Sequence, residues 1–323
     1  MCTVSKLRKI AKHAPVIPID DRSRIVIMSD CHRGNGNWGD NFMANQNLFF
    51  RALNYYYENC FTYIELGDGD ELWENRHMAD IIRSHSDAYW LMSRFYADHR
   101  FYMIYGNHDM PKRNERFVKK YYESYLCEGM DCIVPLFPGI KIYEGLKLCH
   151  AKTGEEYLLV HGHQGDVMND ILWRLSKVLV RYVWKPLELA GFTNPIRPAK
   201  NYSLQGVTQK RLYSYVVKEQ KPLIVGHTHR PHLPGKGELP FYNTGSCVHP
   251  RCITALEYVD DHFLLVKWCE MAKKDGSLYV GRCVLGEEQL ARTGATDAII
   301  KDNIDSMQKR GYTNCEKLYL ITE

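Results

Sequence analysis

No stretch of the 323 residues approaches the roughly 18 uncharged apolar residues that a membrane-spanning helix requires. The first residues carry Lys6, Arg8, Lys9 and Lys12 with no apolar segment behind them, so no secretory signal peptide is expected. Cysteine offers no framework. The 11 thiols are odd in number, scattered and nowhere spaced as Cys-x-x-Cys, which argues against a structural zinc knuckle and a disulfide scaffold and suits a reducing cytoplasm. Charge of one sign is also scarce: 42 basic against 38 acidic residues leave +4, too mild to call for a nucleic-acid partner. The 22 tyrosines are not interleaved with Lys or Arg runs as a groove for single strands would need. Gly34-Asn35-Gly36-Asn37-Trp38-Gly39 is rich in glycine but lacks the Lys and Ser/Thr of a P-loop, and reads as a flexible loop at the rim of a site. Internal repeats and low-complexity tracts are absent.

What is present is the composition of a globular protein, 45% hydrophobic and 25% charged, long enough for one large domain or two ordinary ones. Five short runs rich in β-branched and aromatic residues end abruptly in small polar residues, the pattern of a strand entering a loop. They are Arg24-Ile25-Val26-Ile27-Met28, Phe61-Thr62-Tyr63-Ile64-Glu65-Leu66, Phe101-Tyr102-Met103-Ile104-Tyr105, Tyr157-Leu158-Leu159-Val160 and Pro222-Leu223-Ile224-Val225. In open α/β sheets ligands gather at the carboxyl ends of strands, so five distant loops can converge. Residues 140–160 and 239–284 read as further strands in a second sheet, with Glu144-Gly145 and Asp260-Asp261 as hairpin turns.

The five strand ends carry Ser29-Asp30-Cys31-His32-Arg33, Gly67-Asp68-Gly69-Asp70-Glu71, Gly106-Asn107-His108-Asp109, His161-Gly162-His163 and Gly226-His227-Thr228-His229. Carboxylates, imidazoles and an amide oxygen are borderline-hard donors suited to Mn²⁺, Fe²⁺ or Zn²⁺. A lone histidine is usually a surface or satisfied core residue; five such loops in one chain require independent accidents to coincide. Gly67, Gly106 and Gly226 stand where the backbone must turn sharply beside an ion and a Cβ would obstruct.

The ordered set Asp-x-His, Gly-Asp, Gly-Asn-His-Asp, His and Gly-His-x-His resembles the calcineurin-like metallophosphoesterases, over roughly residues 25–245. The resemblance implies an α/β fold, a four-layer sandwich of two mixed β-sheets flanked by α-helices. It implies two divalent cations, Mn²⁺ first and Fe²⁺ or Zn²⁺ as alternatives. Asp30, His32 and His229 would hold one, Asn107, His161 and His227 the other, and Asp68 would bridge them. His108 would approach the substrate, with Asp109 steering it. The implied activity is hydrolysis of a phosphodiester or pyrophosphate bond by water that the cations activate.

Around that set, His163 is read as a group that orients a ligand or contacts phosphate, and Asp70 and Glu71 as outer supports or a helix cap. Arg33 and Arg230 flank ligand loops and can grip a phosphate through two bonds, a surface ion pair being the competing reading. Residues 167–210 interrupt the strand pattern with a helical start followed by Gly191, Pro195 and Pro198, and read as an inserted helical lid. Within it Arg174, Lys177, Arg181 and Lys185 form a basic stripe beside Leu172, Leu175, Leu179 and Val183. A helix of that kind can lie on an anionic membrane surface or cover an acyl chain, the alternative being a packed helix with a solvated basic face. The catalytic domain is placed at 1–285 and a helical extension at 286–323.

The stretches Leu66-Gly67-Asp68-Gly69-Asp70-Glu71-Leu72-Trp73, Gly226-His227-Thr228-His229-Arg230-Pro231 and Tyr242-Asn243-Thr244-Gly245-Ser246 look like the branch that includes UDP-2,3-diacylglucosamine hydrolases. That likeness implies a phosphorylated or nucleotide-linked sugar or lipid as substrate. The lipid A enzymes carry Arg where this chain has His108, which leaves the specific substrate open. Two rivals remain: a nuclease or phosphomonoesterase of the same chemistry, and a non-catalytic scaffold of the kind some relatives have become. The complete ligand set speaks against the scaffold.

Overall fold

The computed structural model describes residues 3–127, 131–166, 173–184 and 202–289. Strand β2, Ile25–Met28, shows how the layers arise: all four side chains are buried, and alternate ones enter different cores. Val26 and Met28 join one apolar cluster, Ile25 and Ile27 another. Successive side chains leave a strand on opposite faces, so a strand apolar throughout must be covered on both. The parallel neighbours β3, Thr62–Leu66, and β4, Phe101–Ile104, behave likewise, with Tyr63, Phe101 and Met103 on the first side and Ile64, Leu66 and Ile104 on the second.

The first side is closed by two amphipathic helices, Gln46–Glu58 and Ser86–Ala97, through Phe49, Leu53, Tyr56, Tyr89 and Phe95. The second side meets another sheet, which supplies Leu146, Leu148, Tyr157, Leu159 and Ile224. The outer face of that second sheet, with Leu158, Val160, Leu223 and Val225, is covered by the helices Thr3–His13 and Tyr202–Glu219 through Val4, Leu7, Ile10, Leu212, Tyr215 and Val216. Helix, sheet, sheet, helix is the four-layer α/β sandwich expected.

Strand membership differs from the sequence reading in an instructive way. Strands β5, Ser124–Cys127, and β6, Cys132–Pro135, form a separate hairpin; with β1 at Val16–Ile19, β7 at Ile142–Tyr143, β8 at Gly145–His150, β9 at Glu156–Val160, β10 at Leu223–Val225 and β11 at Phe241–Asn243, the five-stranded sheet has the order β1-β8-β9-β10-β11. Strands β12, Cys252–Val259, β13, His262–Ala272, and β14, Leu278–Gln289, extend the other sheet, whose order is β14-β13-β12-β2-β3-β4-β7. The segment 239–284 was expected wholly in a second sheet; three of its four strands instead extend the sheet of β2, with β12 antiparallel to β2, β13 to β12 and β14 to β13. The five site-bearing strands are therefore shared between both sheets, three in one and two in the other.

Asp260 and Asp261 do close the β12–β13 hairpin, at φ 52 and 63, the left-handed pair that a two-residue turn matching strand twist needs. Glu144-Gly145 is not a hairpin turn, because the strands on either side of it belong to different sheets. Residues 286–289, expected to start a helical extension, continue β14 paired to β13; the rest of that extension lies outside the described residues. Residues 202–210, placed in the lid, open the helix Tyr202–Glu219, which the second sheet captures because Leu212, Tyr215 and Val216 share one face. Within the segment read as a lid, Trp173–Leu179 is an α-helix; residues 167–172 and 185–201 lie outside the described residues. No helix among the described residues is long and apolar enough to cross a membrane.

Candidate metal centre

Four of the five strand-end loops are locked in pairs by their own backbones, that after β2 to that after β3 and that after β10 to that after β9. Asp30 N–H donates to Gly67 O at 3.0 Å, His32 N–H to Asp68 O at 2.9 Å, Arg33 N–H to Gly69 O at 3.0 Å, and Gly226 N–H to His161 O at 2.9 Å. The geometry comes at a conformational cost. Asp30, His32, Asp68, His227 and His229 all hold positive φ, from 48 to 67, a region that residues with a Cβ occupy only when their surroundings impose it and that costs about 1–3 kcal/mol each. Two glycines permit the close approach: a Cβ on Gly106 would strike the Asp68 carboxylate, and one on Gly226 would strike Ser29 Oγ and Asp30 Oδ2. What the glycines make room for is thus the ligand side chain itself.

Hydrogen bonds then decide which atom of each side chain is left over. Asp30 Oδ2 accepts from Ser29 Oγ and from His227 N–H at 2.9 Å. Its Oδ1 stands 3.1 Å from His229 Nε2, 3.8 Å from His32 Nε2 and 3.9 Å from His161 Nε2. Asp68 Oδ1 accepts from His108 N–H at 2.8 Å, while Oδ2 lies 3.1 Å from His161 Nε2 and 3.9 Å from His32 Nε2. His161 Nδ1 donates to Leu66 O at 2.9 Å, and His32 Nδ1 donates to Glu71 Oε2 at 2.9 Å. Each ring is thereby fixed in the tautomer that leaves Nε2 free to bind.

Donor atoms fall into three groups, each within 4.8 Å: Asp30, His32 and His229; Asp68, His161 and His227; His32, Glu71 and His108. Asp30 Oδ1, both amide atoms of Asn107, His161 Nε2 and His227 Nε2 are buried with no hydrogen-bond partner among the described residues. A buried polar atom without a partner costs about 1–3 kcal/mol, so a cradle with four such acceptors, on Asp30, Asn107, His161 and His227, fits a cationic occupant. His229 and His108, whose side chains are 18% and 16% exposed, mark the open side.

The charges agree with this reading. Burial works against ionisation of Asp68 and Asp30, yet the imidazoles of His161 and His108 around Asp68, and of His229 and His161 around Asp30, hold both carboxyls well below the usual range. Burial likewise opposes protonation of His161, and Asp68 and Asp30 overcome it, so that its pKa is pushed up to about 9. His229 goes the other way, because burial outweighs the pull of Asp30.

Six of the seven ligand positions named from the sequence thus fall in these groups, and Asn107, whose neighbour Gly106 lies against Asp68, has a buried amide without a partner. Two other positions need correction. Asp109 does not steer His108: its oxygens accept from Gly106 N–H at 2.5 Å and Gly69 N–H at 3.0 Å and pair with Lys112 Nζ at 2.6 Å. The partner of His108 is Glu71, 2.7 Å from Nδ1. Arg33 grips no substrate, being fully buried, with Nε 2.9 Å from Asp70 Oδ1 and Nη2 2.8 Å from Glu65 Oε2. A guanidinium paired on both edges has no donor fork left to offer.

His163 is buried, its ring centroid 5.7 Å from that of His161, and burial followed by the nearby His161 keeps it neutral. Arg230 is partly buried directly after His229. Lys112 escaped the sequence reading, Trp73 stood there only in a motif, and Glu71 was read as an outer support or a helix cap. Glu71 joins His32 to His108, Trp73 donates Nε1–H to Asn107 O at 2.7 Å, and Lys112 ties Asp70 at 2.8 Å to Asp109. Asn243 was noted only in a motif; its amide holds Gly226 O at 2.9 Å and Thr228 Oγ1 at 3.0 Å and so anchors the His227 loop.

Comparison with known proteins points the same way. A family model described as calcineurin-like phosphoesterase matches residues 23–231. No curated protein matches the sequence. Among solved structures, the crystal structure of Vps29 from Chaetomium thermophilum is similar at 10% identity with a TM-score of 0.38, the overlap covering 83% of this chain and 97% of that one. A likeness that loose carries no argument about function.

Proposed function

The chain belongs to the calcineurin-like phosphoesterase family, and on that premise we propose that it is a hydrolase with two divalent cations that cleaves a phosphodiester or pyrophosphate bond. The observation that carries this is the set of buried, unpartnered donor atoms on Asp30, Asn107, His161 and His227. Asp30, His32 and His229 would hold one cation, Asn107, His161 and His227 the other, and the Asp68 carboxylate faces both groups. Mn²⁺ suits this oxygen and imidazole set, as do Fe²⁺ and Zn²⁺. When bound, such a pair neutralises phosphoryl charge and lowers the pKa of water, supplying a nucleophile at neutral pH.

The protein's own part is positioning and proton transfer. His108 stands at the open side with Nδ1 bonded to Glu71 at 2.7 Å, which leaves Nε2 to meet the leaving oxygen, protonating it or sharing its charge. A group in that role is worth about 10²–10⁴ in rate. Burial works against ionisation of the Glu71 carboxyl, and His108 and His32 beside it hold it well below the usual carboxylate range. Asp109 and Lys112 act behind this, fixing the loops that carry Asp68 and Asn107.

The substrate is proposed as a phosphorylated small molecule, nucleotide-linked to a sugar or lipid, on the strength of the motifs around Asp68, His227 and Asn243. Peripheral membrane contact through the lid stays a proposal, weakened by one observation: Arg181 of the basic stripe spends its guanidinium on backbone carbonyls of the body. The side chains of Leu172, Arg174, Leu175, Val183 and Lys185 lie outside the described residues.

The deciding experiment supplies Mn²⁺ and screens nucleotide diphosphate conjugates, cyclic nucleotides, phosphomonoesters and a generic phosphodiester. Metal-dependent turnover that Asp68→Asn removes is expected. A protein that binds metal yet turns over none of them would be a scaffold.

A further inference from the structure

Directly after Glu71 the chain makes a tight turn, closed by Asn75 N–H donating to Glu71 O at 3.2 Å. The Glu71 carboxylate fills the inside of that turn, accepting from Trp73 N–H at 3.1 Å and Glu74 N–H at 3.3 Å. The same carboxylate reaches His108, and the Trp73 indole stacks on the His108 ring with centroids 4.1 Å apart and planes at 20°. A turn closed in this way presents its remaining carbonyls outward, as the end of a helix does, and they need donors.

Arg181, from the lid, supplies them. Nε donates to Trp73 O at 2.8 Å, and Nη2 to Leu72 O at 2.9 Å and Asn75 O at 3.0 Å. A planar fork suits three carbonyls on one turn in a way that the compact ammonium of lysine does not. The lid helix also changes character at this point: Trp173–Leu179 is α-helical and Val180–Trp184 is a π turn. Such turns are rare and frequently sit at functional sites. The adjacent Tyr182 receives a hydrogen bond from Arg76 at 2.9 Å, with the guanidinium 5.7 Å from its ring, so two neighbouring residues pin the lid to the segment following Glu71.

We propose that Arg181 is a positioning residue for His108: by holding the carbonyls of Leu72, Trp73 and Asn75 it fixes both the indole under His108 and the carboxylate beside it. The docked helix thereby completes the proton-donating end of the site. This rests on the phosphoesterase reading, in which His108 serves the leaving oxygen.

The test compares Arg181→Met, which keeps the apolar stem, and Arg181→Lys with the metal-loaded wild type on two esters of one phosphate. One has a nitrophenyl leaving group, which departs without help; the other has an alkyl leaving group, which needs a proton. Arg181→Met should lose about 10-fold or more of kcat on the alkyl ester and less than about 3-fold on the nitrophenyl ester, since a displaced acid costs part of its 10²–10⁴. Metal content should be unchanged and Arg181→Lys should recover little. Equal losses on both esters, or none, would overturn the proposal.

His108→Ala separates the two readings. If it too shows no leaving-group dependence, the acid role assigned to His108 fails first. A readout without turnover stands beside these: the amides of Trp73 and Glu74, bonded to Glu71, should exchange hydrogen about 10-fold faster in Arg181→Met. Unchanged exchange there refutes the brace whatever the activity.

Discussion

The indole of Trp73 lies nearly flat against the imidazole of His108, 4.1 Å between centroids, and the same indole donates Nε1–H to the carbonyl of Asn107 at 2.7 Å. One side chain thus fixes the backbone of a ligand residue and the ring beside it. Glu71 completes the arrangement, joined to His32 Nδ1 at 2.9 Å and His108 Nδ1 at 2.7 Å. The centre and the proposed acid share a single carboxylate, so neither ring turns without disturbing the other.

Glu71→Gln keeps the shape of that link and removes its charge. Outer partners of metal-bound histidines are worth about 10–100-fold in affinity or activity. We expect losses of that size in kcat, with the circular dichroism spectrum unchanged. Full activity in this variant would show that the two imidazoles are held independently.

Asp68→Asn and His108→Ala should each reduce turnover by about 10²-fold or more while leaving the fold intact. Their side chains serve ions and substrate, not the apolar cores. Asn107→Ala and His227→Ala should each lower occupancy of one cation, read by metal analysis after dialysis; two ions still bound would contradict their assignment.

The pH dependence follows from His161, raised from 6.5 to about 9 in the metal-free protein. A folded-state pKa above the unfolded one means that the folded chain holds its proton more tightly. The stabilisation is complete below pH 6.5 and is lost as pH rises through about 9. In the presence of chelator, the Tm advantage of wild type over His161→Asn should shrink across that window. Metal binding needs the neutral ring, so affinity should climb over the same interval by up to about tenfold per pH unit. Flat affinity from pH 6.5 to 9 would remove His161 from the ligand set.

Arg33→Met tests the buried charge network behind the centre. It would strand Glu65 and Asp70, both fully buried, without their shared cation. Removing one partner of such a pair costs about 3–5 kcal/mol. Denaturant unfolding should report a loss of that order, and a change under about 1 kcal/mol would mean that Lys112 alone neutralises the pair.

The sequence carried the strands and the donor types. Runs such as Ile25-Val26-Ile27-Met28 are apolar at every position, which only a strand covered on both faces tolerates, and each ends in residues that no core would accept. Asp30, Asp68, Asn107, His161 and His227 were legible for that reason. Local pattern does not record which sheet a strand joins. Pairing of Leu256 with Ile27 across the chain is a choice made by packing, and it is why residues 252–289 joined the sheet of β2. Nor does it record which way a side chain faces. Arg33 and Asp109 sit beside ligands in sequence, yet at 0% exposure both turn to buried partners. Glu71 and Trp73 share one turn and Arg181 lies more than a hundred residues further along, and only the folded molecule brings all three to His108. The chemistry was written in residue types one after another; the orientation of each donor, and the residues that hold it there, depend on contacts between segments far apart in sequence, which only tertiary packing sets.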